Sequence, residues 1–163
     1  MPGRDRPTAG QAVHTGCHAG AAQHEGCPTG GGCGIDGGEQ FFTRANDFGY
    51  SKHPDETLEI WNKDEVLKDV VAVIRKFKPD VIVNRFNHRT PGTTHGHHTS
   101  SAVLSLEAYD LASDKNYKTH LKNDEIWSPT RLFFNTSWWF YGSEENFEKA
   151  DKTNLLTLDI GTY

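Results

Sequence analysis

Apolar residues recur at helical spacing in the middle of the chain, directly after Asn62. They form one face, made of Val66, Leu67, Val70, Val71, Val73, Ile74 and Phe77. Asn62 is a favourable N-cap, and Glu65 three residues later completes the pattern of a capping box. Lys76 and Lys78 favour the C-terminal end of a helix, and Pro79 prevents its continuation. The pattern therefore predicts an amphipathic helix between the two boundaries.

Three further apolar runs predict strands, and one predicts a helix. Residues 81–86, VIVNRF, are rich in β-branched residues and predict a buried strand, and runs at 131–137 and 155–161 predict two more. Residues 99–111 predict a second helix. Its packing residues are Val103, Leu104, Leu106 and Tyr109. Alternating strands and helices are typical of an α/β fold, with helices on the faces of a mostly parallel sheet.

The first 34 residues differ from the rest in composition. They are mainly Gly, Ala, Thr, His, Pro and Cys, without an apolar period, and they predict a disordered tail before a folded domain at 35–163. Two alternatives stay open for this segment. It resembles out-of-frame translation of GC-rich DNA, or it forms a Cys/His metal tail on His14, Cys17 and His18.

Charge and composition exclude several classes of function. The net charge is -5, so no basic face for nucleic acid is expected. No apolar run approaches the roughly 18 residues of a membrane span, and the N-terminus lacks the apolar core of a signal peptide. The three cysteines, Cys17, Cys27 and Cys33, match no zinc knuckle and no CxxC redox pair. The oligomeric state and the cellular compartment are not predicted.

Three histidines lie in the polar loop between the predicted strand at 81–86 and the helix at 99–111. In TTHGHHTS, His95 and His98 are three residues apart, which lets both rings face one point. Neutral imidazole is a ready zinc ligand, and ligands in open α/β sheets bind beyond the strand carboxyl ends. The alternative, a solvated polar loop with no metal, stays open.

Four stretches, in this order, resemble one enzyme family. They are IDGGEQFFTRANDFGYSK, KFKPDVIVNRF, HGHHTSSAVLSLEAYDLA and RLFFNTSWW. Residues 35–163 are similar to PIG-L-type (LmbE-like) N-acetylglucosaminyl deacetylases. The resemblance implies a Rossmann-like α/β fold and a divalent metal, usually zinc. It also implies hydrolysis of an N-acetyl group on a sugar conjugate.

The resemblance also implies roles for individual residues. The family's His-Pro-Asp-His motif matches residues 95–98, so His98 is the implied metal ligand and His95 the implied catalytic histidine. His97 stands where the family has Asp, which leaves the orientation of the two rings open. Asp36 and Arg44 are the implied substrate contacts, although a simple turn and a surface arginine remain alternatives. Trp138 and Trp139 are candidates for stacking on a sugar or for core packing.

A second motif of the family, Ala-His-Pro-Asp-Asp-Glu after a strand, supplies two metal ligands and the general base. HPDE at 53–56 resembles it, but FGYSK precedes it and one acidic residue follows Pro-Asp instead of two. We interpret it as a helix start, with Pro54 in the first turn and Asp55 and Glu56 at the positive end. Such a segment is not expected to fold back onto the histidine loop.

The true motif belongs upstream of Ile35, where the unusual tail stands instead. The sequence thus predicts an incomplete deacetylase domain that is inactive by itself. The alternative function is a non-catalytic remnant with weak metal binding.

Overall fold

The structure is a computed structural model that describes residues 13–14, 39–89 and 91–158. These residues form helices and short parallel strands. In chain order the elements are β1 (Val13–His14), β2 (Glu39–Gln40), α1 (Pro54–Trp61), α2 (Lys63–Phe77), β3 (Val81–Asn84), α3 (Gly96–Leu111), β4 (Arg131–Phe134), a 3-10 helix (Trp138–Tyr141) and α4 (Glu144–Lys149). The mixture of helix and parallel strand agrees with the predicted α/β class at this coarse level. The predicted tail, residues 1–34, lies outside the described residues except for β1.

Strands β3 and β4 pair in parallel, and α3 lies between them in the chain. Ile82 pairs with Leu132, and Asn84 pairs with Phe134. A parallel pair needs a crossover connection, and α3 is part of that connection. The start of α3 therefore follows the carboxyl end of β3, as the sequence predicts for the histidine loop.

Helices α1, α2 and α3 enclose the hydrophobic core. The buried members of the core cluster are Trp61, Val66, Leu67, Val70, Val71, Ile74, Leu104, Ala108 and Ala112. Five of them belong to the predicted apolar face, and the helix itself is confirmed at Lys63–Phe77. Burial of each large aliphatic side chain contributes about 1.5–3 kcal/mol to stability. Within the described residues, no helix is long and apolar enough to cross a membrane.

The predicted capping box at the start of α2 is wrong. Asn62 has a left-handed backbone (φ 58°), and its side chain makes no capping hydrogen bond. An N-cap side chain reaches the helix amides from an extended backbone, and the left-handed conformation removes that geometry. The Asn62 carbonyl instead accepts hydrogen bonds from the amides of Glu65 and Val66. The Glu65 carboxylate pairs with Lys68 and Arg44.

Several predicted boundaries also differ from the structure. Strand β3 ends at Asn84, β4 ends at Phe134, and α3 begins at Gly96 instead of residue 99. Strand β3 is not buried, since Val81 and Val83 are 48% and 59% exposed. Residues 155–158 form no strand, and 159–161 lie outside the described residues. Leu156 and Leu158 are exposed, so neither packs into the core formed by the described residues.

Arg75 of α2 joins the core to the C-terminal end of α3. Its side chain is 1% exposed, and its Nη1 lies 2.8 Å from Asp124 Oδ2. The other hydrogen bonds go to the carbonyl oxygens of Leu111, Ala112, Asp114 and Tyr117 at 2.7–3.1 Å. A guanidinium has five N–H donors, and here each has an acceptor. Three of these carbonyls, those of Leu111, Ala112 and Asp114, also accept a backbone amide, so Arg75 adds a second hydrogen bond to each and joins α2 to the end of α3.

We expect Arg75→Ala to lower the free energy of unfolding by about 3–5 kcal/mol, because it removes the buried cation of an ion pair and all of its hydrogen bonds, and leaves the Asp124 carboxylate with Thr119 as its remaining partner. Arg75→Lys should recover only part of this loss, since lysine has three donors and no fork. Urea unfolding followed by tryptophan fluorescence measures the change. Arg131→Ala is the control, because Arg131 is exposed and its Nη1 bonds only the neighbouring carbonyl of Thr130. Equal effects of the two alanine variants would contradict this role of Arg75.

The same ion pair predicts a loss of stability in acid. Burial acts to raise the pKa of Asp124, but hydrogen bonds from Arg75 and Thr119 outweigh it and hold the pKa below the ordinary 3.8. The carboxylate therefore stabilises the fold above 3.8, and this stabilisation is lost as the pH falls below it, towards the folded-state pKa.

Unfolding free energies measured between about pH 6 and pH 3 should fall with pH, and Asp124→Asn should flatten that fall. Asp110→Asn, at an exposed position of α3, is the control. A slope in Asp124→Asn as steep as in the unmodified chain would contradict the assignment.

Candidate functional site

The three histidines lie at the N-terminal end of α3, and two of them are brought together. His95 is the N-cap residue, and His97 and His98 are in the first turn. The rings of His95 and His98 are stacked, with centroids 5.1 Å apart and planes 4° from parallel. The two rings therefore lie next to each other, face to face. Their roles as catalytic residue and metal ligand remain predictions.

Aromatic rings extend this pair on both sides. The Phe86 ring is stacked on His98 with centroids 3.9 Å apart, and the Tyr50 ring meets His95 edge-on at 5.1 Å. Phe86 in turn contacts Phe140 of the 3-10 helix, and the Arg85 guanidinium lies over both phenylalanine rings. The rings restrict His98 from one side and leave His95, which is exposed, open to a small molecule.

His98 has the electrostatics of a neutral imidazole. Burial lowers its pKa below 6.5, and the charges of His95, His97 and Arg85 lower it further. Its Nδ1 atom is buried and has no hydrogen-bond partner among the described residues. Zinc binds neutral imidazole nitrogen, so the side chain is chemically suited to ligate it.

His97 points away from the stacked pair. Its ring lies between Phe48 and Trp61, with centroid distances of 4.6 and 5.4 Å. Its Nε2 atom is buried without a hydrogen-bond partner among the described residues. The position that the resemblance aligns with a family aspartate is therefore occupied by an aromatic packing residue, and it does not hydrogen-bond to the neighbouring imidazoles.

The segment at 49–61 starts a helix, as the sequence predicts, but it also packs against the histidine loop. Pro54 is the first residue of α1, His53 is its N-cap, and Asp55 and Glu56 occupy the first turn. The expectation that this segment stays away from the loop is wrong, because the Gly96 amide donates to the Ser51 carbonyl at 2.8 Å. Backbone pairing and small side chains make this contact, which the charge pattern of a helix start does not reveal.

Asp55 does not join the histidines. Its side chain is exposed and lines a shallow surface cavity together with Leu58, Glu59, Asn62, Lys63 and Asp64. None of the three histidines lines that cavity. Within the described part of the chain, no three His, Cys, Asp or Glu side chains lie close enough together to hold a metal ion. The described residues therefore do not complete the three-ligand set of a catalytic zinc.

Arg44, one of the two candidate substrate residues, does not line the histidine site. Arg44 pairs with Asp69 at 2.9 Å and with Glu65 at 2.7 Å. Burial acts to raise the pKa of Asp69, but hydrogen bonds from Arg44 outweigh it and lower that pKa. Arg44 lines a separate cavity of about 420 Å³ with Phe41, Phe42, Lys76 and His120 among its neighbours. Asp36 lies outside the described residues.

Trp138 and Trp139 are 47% and 58% exposed, so the core-packing interpretation of these two residues is wrong. Their neighbour Phe140 makes the packing contact instead, edge-on to Phe86. Sequence reasoning missed Phe86, Tyr50, Ser51 and Thr57 as neighbours of the histidines. Only the aromatic character of Tyr50 and Phe86 beside the loops gave any signal, and a long-range contact of a serine or threonine gives none.

Comparisons with known proteins add no assignment. No family model matches the chain, and neither the curated proteins nor the solved structures contain a significant match.

Proposed function

We propose that the chain carries the histidine half of a metal-dependent N-deacetylase site, in which His98 binds zinc and His95 acts on the substrate amide. The observation that best supports the proposal is the stacked His95–His98 pair at the turn from β3 into α3. The substrate class, N-acetylated sugar conjugates, follows from the resemblance described above. So does a Rossmann-like fold, which the β3–α3–β4 unit supports.

The two histidines differ in ways that suit different roles. His98 is half-buried, stacked on Phe86 and biased towards the neutral form, as a metal ligand must be. His95 is exposed, and its ring contacts the rings of Tyr50 and His98. An accessible imidazole can donate a proton to a departing amine or stabilise a developing oxyanion.

Arg44 and Asp36 remain predictions as substrate contacts. The Arg44 guanidinium already donates to two carboxylates through Nε, Nη1 and Nη2. A substrate could therefore use only the N–H groups left over on its two terminal nitrogens. The network favours a structural role for Arg44, in which it holds residues 41–45 against α2.

A second candidate function is metal binding without catalysis. The unpartnered Nδ1 atom of His98 favours it, because a single imidazole nitrogen can contact an ion without a base nearby. The two candidates differ in what happens when the missing ligands are supplied. A deacetylase site gains both zinc affinity and deacetylase activity, whereas a non-catalytic remnant gains only zinc affinity.

A chimaera tests this difference directly. Residues 1–34 would be replaced by the first strand and the His-Pro-Asp-Asp-Glu unit of a family member. We expect it to bind zinc and to release acetate from N-acetylglucosamine conjugates. His98→Ala should abolish both, whereas His95→Ala should keep the zinc and lower turnover by about two to four decades.

His88→Ala is the matched control, because His88 belongs to the same loop and not to the stacked pair. Full zinc occupancy in His98→Ala would overturn the ligand assignment. Loss of zinc in His95→Ala would show that the two roles are reversed or shared.

The 163-residue chain without such an addition should be inactive. The His98 imidazole alone cannot hold zinc tightly against water, since a catalytic site normally has three protein ligands. Acetate release from N-acetylglucosamine conjugates should not exceed that of a blank containing zinc alone. Turnover that disappears in Asp55→Asn would contradict this expectation and would assign Asp55 the role of general base.

A further inference from the structure

Two buried hydroxyl groups lie directly beneath the start of α3. Ser51 and Thr57 are 1% and 0% exposed, and Thr57 Oγ1 donates to Ser51 Oγ at 2.9 Å. Ser51 Oγ also lies 2.9 Å from the His53 carbonyl oxygen and 2.9 Å from Glu56 Oε2. We call Ser51 and Thr57 the hydroxyl pair. It joins the loop before α1 to the first turn of that helix.

The hydroxyl pair forms the surface on which Gly96 rests. A Cβ atom at Gly96 would lie 2.5 Å from the His53 carbonyl oxygen, 2.6 Å from Ser51 Oγ and 2.7 Å from Thr57 Oγ1. No side chain fits there, so the backbone between His95 and His97 sits directly on the pair. The Gly96 amide is fixed to the same segment by its hydrogen bond to the Ser51 carbonyl.

The number of available protons and the contact distances indicate which hydroxyl group donates to which acceptor. A serine hydroxyl has one proton to donate, and Ser51 has two acceptors in range, the His53 carbonyl and the Glu56 carboxylate. Thr57 Oγ1 lies 2.9 Å from Ser51 Oγ and 3.4 Å from the His53 carbonyl oxygen, and through the shorter contact it supplies the proton that Ser51 Oγ accepts. Removal of the Thr57 hydroxyl would leave Ser51 Oγ short of a donor in a buried place, which costs more than an exposed hydrogen bond.

We infer that Ser51 and Thr57 are positioning residues for His95 and His98. His95 immediately precedes Gly96, and His98 lies two residues beyond it, so a shift of the Gly96 backbone moves both rings. The stacked pair and the contact of His98 with Phe86 depend on that backbone position. The relevance of this positioning to catalysis rests on the proposed function, but the positioning itself does not.

Two variants of one residue separate the hydroxyl from the packing. Thr57→Val keeps the shape and removes the hydroxyl, whereas Thr57→Ser keeps the hydroxyl and removes a methyl group. The measurement is the NMR chemical shifts of the histidine Cε1–Hε1 groups in the metal-free 163-residue chain. Ring stacking of His98 on Phe86 and His95 changes the shifts of the two histidines. Ser113→Ala, which removes an exposed hydroxyl after the far end of α3, is the control.

We expect Thr57→Val to move the His95 and His98 signals towards those of free imidazole while the His88 and His120 signals stay in place. Thr57→Ser and Ser113→Ala should leave all of them unchanged. If Thr57→Val does not fold, the same signals are measured in Ser51→Ala and Gly96→Ala, which alter the other two residues of the contact and should also move the His95 and His98 signals. Unmoved His95 and His98 signals in a folded Thr57→Val would overturn the inference, as would equal shifts in Thr57→Ser.

In the chimaera described above, Thr57→Val should retain zinc and lower turnover by about ten- to a hundredfold, with recovery in Thr57→Ser. Unchanged turnover in Thr57→Val would overturn the catalytic part of the inference. An inactive chimaera with the expected shifts in the metal-free chain would instead overturn the proposed function and leave the positioning intact.

Discussion

Arg75 carries a full charge into a part of the core that water does not reach, and all five of its N–H donors must find acceptors there. The acceptors come from the last turn of α3, from the loop after it and from Asp124. Charge of this kind is tolerated only where the acceptors are already in place, so Arg75 dictates where α3 ends relative to α2. Apolar packing between α2 and α3 has little directional preference, whereas the hydrogen bonds of Arg75 require their acceptors at particular positions.

Helix α3 is thus fixed at both ends by polar contacts of different kinds. A buried cation holds its C-terminal end, where it also suits the negative pole of the helix. At its N-terminal end, the Gly96 amide and the absence of a Cβ atom bring the backbone against Ser51 and Thr57. Between these ends, Leu104 and Ala108 pack on α2. Both constraints fix the position of α3 and therefore of the histidines at its start.

The sequence predicted the elements that depend on local patterns. The helix at Lys63–Phe77 follows from its apolar stripe and from Pro79, and the three-residue spacing of His95 and His98 allows their rings to lie close together, although it does not predict that they stack. The predictions that fail concern contacts between elements and between residues far apart in the chain. Asn62 takes a left-handed backbone because it ends α1 and begins α2 with no residue between them, which no capping pattern records. Gly96 meets Ser51 and Thr57, which lie 45 and 39 residues before it in the chain, and short side chains carry no signal of such a partner.

The use made of HPDE illustrates why a motif must be judged by its surroundings. In the enzyme family that the chain resembles, a related motif, His-Pro-Asp-Asp-Glu, provides ligands and a base at the end of a strand. Here Pro54 and the two acidic residues begin α1, and Asp55 faces a surface that none of the three histidines lines. The segment still reaches the histidine loop, through the Ser51 and His53 carbonyls and two hydroxyl groups. Its contribution is therefore a fixed backbone at Gly96, between His95 and His97, and that contribution does not depend on metal binding.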